Sequence, residues 1–248
     1  MMNKSNLSYN QPATLVLFDV DGTLVYSIGK RDSRCFAHTY EHIYGKAFPS
    51  IDWKRYPHVN DTTIFKTVIA EHFDRDISDG EIPTFLEHYT QALLTLRAET
   101  PHYFLEIPGA ASAIKRLLDH PEYAVAVATG GWQRPAVIKL AHIGVATENL
   151  LICGADDKVS REDIIEAALA ASSEAGQVYE KIVYIGDAIW DVQTTRRMGM
   201  DFLGISFSTE QNILQQAGAV HVLDDFSDFD LFIKTLALAE PPLAMGAK

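Results

Sequence analysis

Beyond Pro108-Gly109 the chain alternates between helix-patterned and strand-patterned stretches, and this alternation limits the fold more than any other feature. Residues 110–119 carry Ala113, Ile114, Leu117 and Leu118 at helical spacing, and residues 123–128 (YAVAVA) read as a buried strand. A helix over 133–142, a short apolar run at 150–152 and a helix over about 161–171 follow. Strand 181–185 (KIVYI), helix 190–198, strand 202–205, helix 210–217 and a weak strand near 220–223 complete the series. Strands separated by helices are joined by right-handed crossovers into a parallel sheet covered on both faces. The expected class is therefore α/β, and ligands of such sheets sit beyond the C-terminal ends of the strands.

Three strand ends carry polar residues. An earlier apolar stretch, Leu15 to Phe18, runs into Asp19-Val20-Asp21-Gly22-Thr23; strand 123–128 runs into Thr129-Gly130-Gly131; strand 181–185 runs into Gly186-Asp187, with Asp191 four residues on in the first turn of a helix. Asp21-Gly22 alone is an ordinary turn pair, but it leaves Asp19 unexplained. Up to four carboxylates (Asp19, Asp21, Asp187 and Asp191) then converge, and their repulsion raises the pKa of one or more unless a cation sits among them. A hard ion such as Mg²⁺ suits oxygen ligands of this kind and takes its last ligand from substrate phosphate. Thr129 with Gly130 offers a hydroxyl and open backbone at a helix N-terminus, an anion cradle. Lys158 and Arg161, at the start of the helix after 160, are the candidates for the cation that a phosphate needs. Ser160 reads as a helix N-cap with Asp163 at the third helical position. Two carboxylates at close range allow one to act as nucleophile and the other as general acid and base.

Residues 26–104 differ in character, being rich in aromatic residues and histidine with few strand-like runs. Helical stripes fall over 33–44 (Phe36, Tyr40, Ile43, Tyr44), 62–73 (Ile64, Phe65, Val68, Ile69, Phe73) and 80–98 (Phe85, Leu86, Tyr89, Leu93, Leu96), with Asp61 or Thr62 as the cap of the second. These stripes are expected to form core. The formal charge of −12 without a basic stripe argues against a nucleic-acid partner, and no apolar run approaches a membrane span. Cys35 and Cys153 lie far apart, so no disulfide framework is expected. The polar N-terminus (MMNKSNLSYNQPAT) lacks the apolar centre of a signal peptide, and a cytoplasmic location is expected. The tail PPLAMGAK is expected to fray.

DVDGTL, the Thr of VATGG and GDAIWD, in this order and with a helical insert after the first, resemble the first, second and fourth motifs of the haloacid dehalogenase superfamily over essentially the whole chain. The resemblance implies a Rossmann-like core (12–25 and 105–240) with the first strand central, and an α-helical cap (26–104). It implies Asp19 as phosphoryl-accepting nucleophile and Mg²⁺ ligand, and Asp21 as general acid/base lending its backbone carbonyl to the metal. Thr129 would bind the transferring phosphoryl group, Asp187 would ligate Mg²⁺, and Asp191 would ligate it directly or through water. The third motif departs from the Lys-Pro-x-Pro pattern common in relatives, and the resemblance implies Lys158 as the phosphate-stabilising cation, with Arg161 as the substitute. Asp21 separates the chain from the dehalogenase branch and leaves phosphatases resembling phosphoglycolate phosphatase, with a β-phosphoglucomutase-like mutase as the alternative. A non-catalytic binding protein of this fold is the alternative from another class. A phosphonatase would need a Schiff-base lysine, for which Lys30, Lys54 and Lys66 exist. Substrate choice is expected to rest on cap residues such as Arg55, His58, Arg31, Tyr56 and Asp61, with Trp132 and Trp190 near the entrance or in the core. The expected partner is a small phosphorylated metabolite, acted on by a monomer or homodimer.

Overall fold

The first strand, β1 (Thr14–Phe18), is buried on both faces: Leu15 and Leu17 enter one apolar layer, Val16 and Phe18 the other, as the two-residue period of a strand dictates. The computed structural model describes residues 13–173, 177–207 and 211–244. In chain order, β1 is followed by β2 (Val25–Ser27), α1 (Arg31–Tyr44), α2 (Asp61–Phe73), α3 (Glu81–Glu99) and β3 (Phe104–Glu106). Then come α4 (Ala110–Leu118), β4 (Tyr123–Ala128), α5 (Gln133–His142), β5 (Leu151–Cys153), α6 (Arg161–Ser172) and β6 (Lys181–Gly186). The chain continues through α7 (Ile189–Met198), β7 (Asp201–Ile205), α8 (Gln211–Gln216), β8 (His221–Leu223) and α9 (Phe229–Leu238).

Six strands form one parallel sheet in the order β5-β4-β1-β6-β7-β8, with β1 in the interior as expected. The connections run outward from β1 in opposite directions through β4 and β6, which opens a crevice at their C-terminal ends. Phe18 pairs in register with Val127 of β4 and Ile185 of β6. Asp19, Thr129 and Asp187 therefore leave the sheet at nearly one level. Ile164, Ile165 and Val192 cover one face; Ile114, Leu117, Phe232 and Leu236 cover the other.

The helices α1 to α3 stand on a short antiparallel ribbon in which Val25 faces Glu106 and Ser27 faces Phe104. The chain thus leaves and re-enters the core at adjacent points. Phe36, Phe65 and Phe85 are the centre of this insert, with ring centroids 4.8–4.9 Å apart for Phe65–Phe85 and Phe36–Phe85. Trp132, from the core, stacks 5.7 Å from Phe36 and is fully buried, so insert and core share one apolar layer. Its indole N–H donates to Thr62 Oγ1 at 2.8 Å, and Thr62 in turn donates to the Ala155 carbonyl at 2.6 Å. Asn60 Nδ2 donates to the Val159 carbonyl (2.7 Å), and the Asp61 N–H donates to the Gly130 carbonyl (2.8 Å). The N-terminus of α2 is therefore bolted onto the loops after β4 and β5.

Several expectations need correction. Asn60, not Asp61 or Thr62, caps α2: its side chain accepts from the Thr63 N–H at 2.9 Å, and Asp61 is the first helical residue. The ribbon β2–β3 and helix α9 are elements the pattern reading did not contain. The front of the PPLAMGAK tail is tied down, since the Leu243 N–H donates to the Gly218 carbonyl at 2.8 Å; residues 245–248 and the polar N-terminus up to residue 12 lie outside the described residues. Cys35 and Cys153 are both free thiols. Among the described residues no helix is long and apolar enough to cross a membrane.

Candidate active site

Asp19 is the first residue beyond β1, fixed by its N–H donating to the Ile185 carbonyl at 2.9 Å. Its carboxylate is 4% exposed, and Oδ1 is buried without a hydrogen bond. Such an atom is costly to leave unmade, so it marks a place where a ligand completes the site. Carboxylate oxygens of Asp19, Asp187 and Asp191 all lie within 4.8 Å of one another. Gly22 makes this convergence possible. It has a φ of +86°, and a Cβ there would lie 2.0 Å from Asp187 Oδ2, so only glycine fits. The donor set is all oxygen, buried and anionic, which fits a hard divalent cation such as Mg²⁺.

Arg161 supplies the balancing charge. It is the first residue of α6, set by a capping box in which Ser160 Oγ accepts from the Asp163 N–H at 3.1 Å and Asp163 Oδ2 accepts from the Ser160 N–H at 2.9 Å. The guanidinium Nη2 donates to Asp191 Oδ1 at 2.5 Å and to the Tyr184 hydroxyl at 2.7 Å, and lies 3.5 Å from Asp19 Oδ1. Its Nε is buried without a partner. Burial works against its charge, and the fields of Asp191, Tyr184 and Asp19 outweigh burial, so the group stays protonated. Burial pushes Asp191 up to about 7, with Arg161 opposing and Asp19 adding. Gly130 packs against this guanidinium so closely that a Cβ would lie 2.3 Å from Arg161 Nη1. Lys158, the cation expected at this place, is elsewhere. Its amine pairs with Asp157 at 2.5 Å, and it does not line the cavity. The reason is local: Lys158 precedes the Ser160 cap and lies in the turn, whereas Arg161 begins the helix and faces β1.

Asp21 faces the same cavity and has a partner the sequence reading did not contain. Lys139, on α5, is buried and donates to Asp21 Oδ1 and Oδ2 at 2.7 and 2.6 Å, with Asp32 Oδ2 at 3.5 Å. The Asp21 side chain keeps 42% of its surface open, facing both this cavity and the cleft beside it. Burial raises its pKa to about 7, Lys139 pulling down and Asp32 and Asp19 pushing up. Burial acts against the Lys139 charge and is outweighed by Asp21, Tyr89 and Asp32, so the amine is firmly an ammonium ion. A signal for Lys139 existed. It follows Ala136 by three residues and precedes Leu140, both buried, so it lies on the apolar side of its helix.

The inner cavity has a volume of about 90 Å³ and is lined by Asp19, Asp21, Thr129, Gly130, Gly131, Lys139 and Arg161 from the core, with Trp190. The insert adds Asp32, Ser33, Phe36, Trp53, Asp61, Ile64 and Tyr89. A cleft of about 720 Å³ adjoins it, bordered by Asp21, Asp187, Trp190, Lys30 and Lys54. Arg55 and His58 are exposed and border neither space; Arg55 pairs with Glu71 at 3.1 Å. Both sit on the outer side of the loop that leads into α2, whereas Trp53 of that loop and Asp61, the first residue of α2, face the cavity. Lys66 is exposed on α2, so none of Lys30, Lys54 and Lys66 reaches the inner cavity. Trp132 is core, and Trp190 borders the cavity.

A family model described as haloacid dehalogenase-like hydrolase matches residues 16–205. A hydrolase from Pseudomonas syringae superposes with a TM-score of 0.66 at 22% identity, over 90% of this chain and 98% of that one. CbbY from Rhodobacter sphaeroides in complex with phosphate gives a TM-score of 0.64 at 21% identity, over 87% and 95%. A predicted phosphoglycolate phosphatase from Haemophilus somnus 129PT gives 0.59 at 16%, over 88% and 97%. At these identities the likeness is one of fold. No curated protein matches the chain.

Proposed function

The chain belongs to the haloacid dehalogenase-like hydrolases, and on that premise we propose that it is a divalent-cation-dependent phosphatase acting on a small phosphomonoester through an aspartyl-phosphate. The observation that carries this reading is Asp19 Oδ1: buried, without a hydrogen bond, 3.5 Å from Arg161, and facing a cavity that Asp21 also lines. That the Rhodobacter relative was crystallised with phosphate adds support.

In this reading Asp19 attacks phosphorus, forming an acyl phosphate as the ester P–O bond breaks. Asp21 gives its proton to the departing alcohol oxygen, then takes one from the water that attacks phosphorus and releases Asp19. Thr129 and Arg161 hold the equatorial phosphoryl oxygens, where charge is greatest in the transition state. Asp19 and Asp187, with the backbone carbonyl of Asp21, would hold Mg²⁺, which when bound offsets the phosphoryl charge. Asp191 has both oxygens engaged, by Arg161 and by the Ala188 N–H at 3.1 Å, which favours an outer, water-mediated role. The helices of 26–104 would act as the cap that excludes water. Lys139, as a firm ammonium ion, is unsuited to Schiff-base formation and acts instead on Asp21.

With Mg²⁺ the protein is expected to hydrolyse p-nitrophenyl phosphate, and EDTA to lower the rate at least ~100-fold with recovery on adding Mg²⁺ back. Inactivity on a broad phosphomonoester panel with Mg²⁺, Mn²⁺ and Co²⁺ contradicts the reading. Lys139→Met should reduce kcat by about 10–100-fold, because the acid/base carboxylate loses the two donors that aim it. Removing a neighbouring cation raises a carboxylate pKa, so the alkaline limb of kcat/KM for an alkyl phosphate, whose leaving group needs the acid, should move to higher pH. A lower rate with an unmoved limb would reduce Lys139 to a packing residue.

A further inference from the structure

The inner cavity also carries groups that the phosphoryl chemistry does not use. Phe36, Trp53, Tyr89 and Trp190 supply aromatic walls, and Asp32 and Asp61 supply carboxylates beyond those the phosphoryl chemistry uses. Asp61 Oδ2 accepts one hydrogen bond, from the Trp132 N–H at 3.0 Å, and among the described residues no Lys or Arg nitrogen pairs with it. Burial raises its pKa to about 6, against the opposing pull of the Lys139 charge and the Trp132 backbone N–H. The cations of this cavity are already engaged: Lys139 by Asp21 and Asp32, Arg161 by Asp191 and Asp19. An anionic tail on the substrate would meet carboxylates and occupied cations. A cationic tail would meet an underused carboxylate and aromatic faces, the surroundings that favour ammonium groups.

Resting on the phosphatase reading, we propose that the preferred substrate is a short phosphomonoester whose alcohol carries an ammonium group, which Asp61 pairs with inside the aromatic walls of the cap. The spacing supports a short tail. A methyl group placed on Gly131 would lie 3.7 Å from Asp61 Oδ2, 3.8 Å from Asp21 Oδ2 and 3.9 Å from Thr129 Oγ1. The acid/base, the phosphoryl-binding hydroxyl and Asp61 thus surround one small space, which a two- or three-carbon spacer between ester oxygen and nitrogen crosses. Asp19 Oδ1, which has no hydrogen bond, marks the place of the phosphoryl group in the same cavity.

The test is calorimetric titration of O-phosphoethanolamine, phosphocholine, n-propyl phosphate and 2-phosphoglycolate into the Mg²⁺-loaded Asp19→Asn protein, which binds without turnover. At least one ammonium ester should bind tenfold or more tightly than propyl phosphate, and phosphoglycolate should bind most weakly. Asp61→Asn in the same background keeps an acceptor for Trp132 and should cut the ammonium-over-propyl ratio to below threefold. Wild-type kcat/KM should follow the same order. Equal or weaker binding of both ammonium esters, or a ratio that Asp61→Asn leaves intact, overturns the proposal. Failure of the wild type to hydrolyse even p-nitrophenyl phosphate overturns the phosphatase reading itself, a separate result.

Discussion

Asp19→Asn is expected to lower kcat/KM for p-nitrophenyl phosphate by about 10⁴-fold or more, since an amide cannot form the acyl phosphate and no neighbouring group can replace it. Folding should respond in the opposite sense. Asp19 is a buried charge packed among Asp187 and Asp191, with one unpartnered oxygen. In the metal-free protein the neutral amide relieves that repulsion, so the midpoint of thermal unfolding should be equal or higher than in wild type. Loss of activity together with a lower midpoint would instead make Asp19 a structural residue.

Arg161→Met carries the second large effect. It strands Asp191, which is completely buried, next to Asp19. Breaking a buried pair by removing one partner costs about 3–5 kcal/mol, and denaturant titration at neutral pH should show a loss of that order. Any folded fraction should retain no more than about one hundredth of wild-type kcat, since a donor to the transferring phosphoryl group is gone. Lys158→Met is the matched comparison. Its amine meets only the exposed Asp157, so stability should change by under about 0.5 kcal/mol and kcat by less than about threefold. The reverse pattern would return the phosphate-stabilising role to Lys158.

The difference between Lys158 and Arg161 shows where pattern reading stops. Both are basic residues near a helix start, and residue type does not separate them. The Ser160–Asp163 capping box, itself legible as a sequence signature, fixes which of them begins the helix and so which faces β1. The parallel sheet was readable because helix and strand periodicity alternate over many residues, whereas the interior place of the first strand was implied only by the family resemblance. The ribbon β2–β3 was not, since three-residue strands carry no period. Helix α9 hides in a run of alternating Asp and Phe, in which Asp228 caps the helix by accepting from the Leu231 N–H at 2.9 Å.

At the site, Asp19, Asp187 and Asp191 stand together and Thr129 joins them at the cavity because each sits at or just beyond a strand end of one parallel sheet. Position along the chain sufficed to place them. Lys139 has no motif around it. Its place depends on the packing of α5 against α3, which brings a mid-helix lysine within reach of Asp21 and Asp32, and only a lysine on an apolar stripe hinted at it. Arg55 and His58 point outward from the loop before α2, whereas Trp53 of that loop and Asp61, just past the Asn60 cap, line the cavity.

The central claim is that phosphorus is transferred to Asp19, and trapping that bond tests it most directly. The Asp21→Asn protein, given p-nitrophenyl phosphate and Mg²⁺, has a leaving group that needs no acid but lacks the base for the second step. The acyl phosphate should accumulate. Acid quenching and borohydride reduction should then convert residue 19 to homoserine, detected by peptide mass spectrometry. Homoserine at position 19, absent without substrate, is the predicted result. Turnover with an unlabelled Asp19, or label on another carboxylate, would contradict the account.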